Sequence, residues 1–144
     1  MDKFVTAIRD GFLKGVSTGW FLLKIMIPIY LIVVLVKYSP VMPWLERTCA
    51  PAMKIFNLPP EAVVPIITGA FTDEYGVLAA LGGFEFTTAS ITTIAMITLT
   101  FHSIPVESAI ARKIGLSPFR YGALRFITAV LIGVLTGLIG GALL

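Results

Sequence analysis

Residues 65–76 read PIITGAFTDEYG, and apolar sequence runs on both sides of them. The run at 62–68 and the run at 75–81 are each too short to cross a hydrocarbon layer, which takes about 20 helical residues. Between them lie a glycine, two threonines and the adjacent acids Asp73 and Glu74. Two half-length apolar runs around a polar break mark a discontinuous or re-entrant helix pair, here 61–84. Backbone freed at such a break must be buried in protein or face a water-filled cavity.

The rest of the chain supports a bilayer as its solvent. Its 144 residues suffice for one domain, and charged residues make up 13%, against about 25% in soluble domains. Mean hydropathy is +0.94. A net charge of +3, scattered along the chain, gives no clustered basic stripe for nucleic acid. The single Cys49 excludes an intrachain disulfide and a multi-cysteine metal site.

Outward from the break, the pattern predicts an all-α polytopic membrane protein with about three full spans. An interfacial helix is expected at 1–17, where Phe4, Ile8 and Phe12 repeat every four residues. The first span is 19–39, kinked at Pro28 and anchored by Trp20 and Tyr38. An interfacial segment follows at 40–60. There helical spacing puts Trp44, Leu45, Ile55 and Phe56 on one side and Glu46, Arg47 and Lys54 on the other. The next span, 86–104, is rich in hydroxyls that either bond back to the helix or wall a polar path. A short helix at 105–116 starts at Pro105 and ends at Gly115. The last span lies within 121–144. Its Gly133, Gly137 and Gly141 admit a closely packed second helix.

Basic residues group as Lys3, Arg9 and Lys14, as Lys37, Arg47 and Lys54, and as Arg112, Lys113, Arg120 and Arg125. Whether 61–84 re-enters or crosses, the 102–125 loop falls on the more basic side, which the positive-inside rule makes cytoplasmic. The N-terminus shares that side only if the pair re-enters.

A half-helix ending in PIITG, an acidic tip, a second half-helix, a Ser/Thr-rich span, then HSIPVE and a basic segment before a Gly-rich span resemble the nucleoside-recognition (Gate) domain membrane proteins. That family is similar to spore maturation proteins A and B, and related Gate modules occur in ferrous-iron transporter B proteins and concentrative nucleoside transporters. The resemblance covers roughly residues 18–144. It implies a helical module with a hairpin and an interrupted helix, in a bacterial or archaeal inner (cell) membrane. The transporter relatives carry two modules in one chain. The single module here implies a homodimer or a sister Gate-domain subunit.

The candidate ligands for a small polar solute or ion are Thr68, Gly69, Thr72, Asp73, Glu74, Glu85, Thr88, Thr92, His102 and Glu107. An ionised carboxylate at mid-membrane requires a partner, water or an ion. Asp73 and Glu74 either supply such a site or cap the second half-helix, since acids favour a helix's first turn. His102 and Glu107 flank the Ile104-Pro105 break and are candidates for proton relay. No nucleophile–base pair, phosphate loop or metal-ligand cluster is visible, so neither enzyme activity nor a cofactor or metal is expected. Two functions compete: a transport module acting as an oligomer, and a non-transporting structural or assembly subunit of a membrane complex.

Overall fold

A computed structural model describes residues 2–143. Among these the chain forms seven α-helices, one 3-10 turn and no strand. The helices are α1 (Asp2–Lys37), α2 (Val41–Ile55), α3 (Val63–Phe71), α4 (Glu74–Leu81), α5 (Thr88–Thr100), α6 (Ile104–Lys113) and α7 (Pro118–Leu143). The turn is Pro60–Ala62. Three stretches are long and apolar enough to cross a membrane: Lys3–Lys37, Thr88–Lys113 counted through the α5–α6 junction, and Pro118–Gly141. Their outward faces carry exposed Leu, Ile and Phe, as lipid-facing helices do.

No break separates the expected surface helix at 1–17 from the first span, because α1 is one helix of 36 residues. Pro28 lies inside it. Side chains from Lys3 to Phe21 are exposed, and a β-carbon placed on Gly11, Gly15 or Gly19 would meet nothing within 4 Å. Packing begins in the second half. Ile29 lies against Gly76, Tyr30 against Gly82 and Val33 against Gly83, so α4 runs parallel to the end of α1. Lys37 closes the contact by donating to the Gly83 carbonyl at 2.7 Å.

The α3–α4 pair folds back on itself. A β-carbon on Gly69 would meet Val77 at 2.6 Å, a proximity that eight residues of continuous helix, about 12 Å long, could not give. The open ends of the hairpin return to one end of the molecule. Glu61 before α3 and Phe84 and Glu85 after α4 line one cavity of about 530 Å³, with Lys37, Met42 and Glu46. The tip, Thr72 and Asp73, points the other way.

Helix α7 runs antiparallel to α5, with Phe126 edge-on to Phe101 at 5.5 Å, Gly133 against Ile97 and Gly140 against Ala89. The close approach expected at Gly133, Gly137 and Gly141 is made inside the chain. The end of α2 fills it: Phe56 lies on Gly133 and its backbone on Gly137, and Asn57 sits at Gly141. Asn57 takes the left-handed conformation past the helix end, φ 54°, and its side-chain amide donates to the Gly137 carbonyl at 3.3 Å. Pro51 is held within α2 without ending it. The inward face of α2 is Met42, Leu45, Cys49 and Met53. Trp44 and Ile55, expected beside Leu45, are exposed instead, because the residues that meet the core recur at steps of three and four from Met42.

Candidate functional site

Two broken helices meet at the hairpin tip. One break is between α3 and α4. The other is Phe101–Ser103, between α5 and α6. Pro105 has no amide hydrogen, and its ring would collide with the Phe101 carbonyl in a continuous helix. Ser103 turns the chain at φ 48°, in the left-handed region. It also ties the breaks together. Its amide donates to the Gly69 carbonyl at 3.0 Å, and its hydroxyl donates to the Thr72 carbonyl.

The adjacent acids do different things. Asp73 is the N-cap of α4, and its Oδ1 accepts from the Gly76 amide at 3.0 Å. Glu74 reaches across to α5. Its Oε2 accepts from the buried Thr98 hydroxyl at 3.3 Å. Its Oε1 is buried without a hydrogen bond, 3.5 Å from Nδ1 of His102. That ring nitrogen also lies 3.1 Å from the Thr98 carbonyl. On the other side of the ring, Nε2 is 3.6 Å from Oε1 of Glu107.

Glu107 is anchored from α7. Its Oε2 accepts from Arg125 at 2.7 Å and from the Tyr121 hydroxyl at 2.6 Å. Arg125 in turn donates to the carbonyls of Thr100 at 2.9 Å and His102 at 3.2 Å, which the α5 break leaves without helical partners. A planar fork of donors can serve a carboxylate and two carbonyls at once. The result is a row, Glu74–His102–Glu107–Arg125, leading from the hairpin tip to the end nearer the α6–α7 loop. With both carboxylates ionised and the imidazole neutral, it holds two negative charges and one positive, one positive charge short.

Of the candidate residues, the structure brings together Gly69, Thr72, Asp73, Glu74, His102 and Glu107. Thr68 stands one turn back on α3, where its hydroxyl donates to the Val64 carbonyl. Three lie elsewhere. Glu85 is at the opposite end of the hairpin, on the cavity shared by Lys37, Glu46 and Glu61. Thr88 and Thr92 are on the exposed face of α5, and Thr92 bonds back to the Thr88 carbonyl at 2.9 Å. The helical turn fixes this: Ser90, Thr93 and Thr98 are the hydroxyls that face inward. Thr98, Ser103, Tyr121 and Arg125 complete the site without having been singled out for it. Arg125 carried a signal, a charge at the threshold of an apolar span, but it reads equally as a topology determinant.

Fold and site together define an all-α membrane protein organised around two interrupted helices that meet tip to break. Comparison with known families makes this specific: the model of the Gate family, described as nucleoside recognition, matches residues 20–117, and the chain belongs to that family. It is similar to the "Uncharacterized membrane protein YvoD" of Bacillus subtilis (strain 168), with 31% identity over 106 residues. That alignment takes in 74% of this chain and 34% of the relative, so the chain spans about a third of the relative's length. No solved structure matches.

Proposed function

We propose that the chain is a membrane transport module for a small polar solute of nucleoside type or an ion, acting as an oligomer. The observation that carries this reading is the meeting of the hairpin tip with the α5–α6 break around Glu74. Interrupted helices expose backbone dipoles and polar side chains at depth, which is how secondary transporters build sites. The tip lies beside Ile29 and the open end beside Lys37, eight residues apart on α1. That separation is about 12 Å, which is roughly mid-depth in a 30 Å hydrocarbon layer if Lys37 marks an interface. On this reading the hairpin re-enters and does not cross. The N-terminus and the 102–125 loop then share the cytoplasmic side of a bacterial or archaeal inner membrane, with seven basic residues there against three on the other side. The proposed partner is a second copy of the chain or a sister Gate-domain subunit.

The test is counterflow of labelled uridine, adenosine and sodium in proteoliposomes, comparing wild type with Glu74→Gln. Exchange that Glu74→Gln abolishes is the expected outcome. Unchanged exchange of every ligand that moves would remove Glu74 from the site, and no exchange of any would remove the transport reading.

A further inference from the structure

We propose that His102 is a proton-carrying site, and that one proton, held on its imidazole between Glu74 and Glu107, is the positive charge the hairpin tip lacks. The inference deepens the transport reading and rests on it for what the proton does.

Both ring nitrogens face acceptors. Nδ1 points between the Thr98 carbonyl at 3.1 Å and Oε1 of Glu74 at 3.5 Å, and Nε2 faces Oε1 of Glu107 at 3.6 Å. A neutral imidazole has one N–H and one lone pair. Either tautomer therefore sets a lone pair against oxygen lone pairs, and only the doubly protonated ring offers a hydrogen to both sides. With both carboxylates ionised, no other group around the ring supplies the missing hydrogen. Arg125, from α7, is spent on the far oxygen of Glu107 and on two carbonyls. Tyr121 donates to that same far oxygen. Asp73, next to Glu74 at the tip, adds a further negative group, and its side chain caps α4. Thr98 of α5 gives its hydroxyl to Oε2 of Glu74, which leaves Oε1 facing the ring. Thr72, just past the end of α3, and Ser103 are neutral and bonded to backbone carbonyls. Ile29, which α1 sets against Gly76, is apolar.

The two partners of the ring sit on different structural units. Glu74 belongs to the hairpin. Glu107 is pinned to α7. A shift of the hairpin that withdraws Glu74 leaves Nδ1–H with the Thr98 carbonyl alone and Nε2–H facing Glu107. There the N–H bond can break and an O–H bond form on Glu107, the electron pair staying on nitrogen. When Glu74 returns, the O–H bond on Glu107 breaks and the bare Nε2 lone pair takes the proton back, which restores the starting state with Glu107 ionised. Hairpin position and proton occupancy are thereby linked at one residue.

His102 is the chain's one histidine, so labelling with ring-¹⁵N histidine reports on it alone. The full chain in lipid nanodiscs at neutral pH should show both ring nitrogens protonated. Glu74→Gln and Glu107→Gln should each convert the ring to one protonated and one bare nitrogen. A wild-type ring with one bare nitrogen overturns the proposal whether or not the variants fold. Exchange of potassium chloride for sodium chloride should leave the wild-type spectrum unchanged; loss of a ring proton in sodium would assign the charge to that ion and overturn the proposal. Absence of counterflow with a doubly protonated ring would defeat the transport reading alone. Counterflow with a singly protonated ring would defeat only the proton site.

Discussion

The amide of Ser103 donates to the carbonyl of Gly69 at 3.0 Å, so the break in the α5–α6 run and the first arm of the hairpin share a hydrogen bond. The Ser103 hydroxyl adds a second tie, to the Thr72 carbonyl. Ser103 also holds a positive φ of 48°, which a non-glycine residue sustains only where its surroundings impose it. Ser103→Ala keeps the awkward backbone and loses the hydroxyl bond, for an expected loss of about 1 kcal/mol. Ser103→Gly loses the same bond but relieves the backbone, so it should be destabilised less. Thermal unfolding in detergent checks the order. Equal losses would mean the φ angle carries no strain.

Gly137 lies against the backbone of Phe56, and an added β-carbon would collide with the Phe56 carbonyl. The obstacle is main chain, which cannot rotate aside. Gly137→Ala should cost about 1–3 kcal/mol by forcing the α2 terminus off α7. Gly122→Ala, with nothing within 4 Å, is the control and should be neutral or slightly stabilising, because alanine favours helix. The melting temperature should fall for Gly137→Ala and hold or rise for Gly122→Ala.

Arg125 serves three oxygens on three residues: Glu107, Thr100 and His102. Lysine keeps the charge but not the planar fork. Arg125→Lys should therefore lose the carbonyl bonds and part of the pairing, costing about 1.5–3 kcal/mol, the range for hydrogen bonds to charged groups. Thermal unfolding reads the loss. Full recovery of stability by lysine would show that charge alone matters at this position.

The re-entrant reading makes a sidedness prediction. In a Cys49→Ser background, single cysteines at Lys3 and Leu116 should react with a membrane-impermeant maleimide from one side, and a cysteine at Glu46 from the other. A cysteine at Asp73 should react slowly. Labelling of Lys3→Cys and Leu116→Cys from opposite sides would mean that residues 61–84 cross the bilayer.

The solvent and the breaks were legible in the sequence. Hydropathy, the two half-length runs and Pro105 act through local physics: lipid demands apolar outer surfaces, and proline removes an amide donor wherever it falls, although α1 and α2 run on through Pro28 and Pro51. Of the two acids at 73 and 74, either could have been the cap on local grounds. Packing gave the cap to Asp73 and sent Glu74 across to Thr98 and His102, because that choice depends on which face of α4 meets α5. The same holds for Arg125, twenty-three positions from His102 along the chain, and for Thr88 and Thr92, whose hydroxyls share a helix with Thr98 but not its inward face. Charge partners and helix faces are set by long-range packing, and a one-dimensional pattern carries no distance between residues that only the fold brings together.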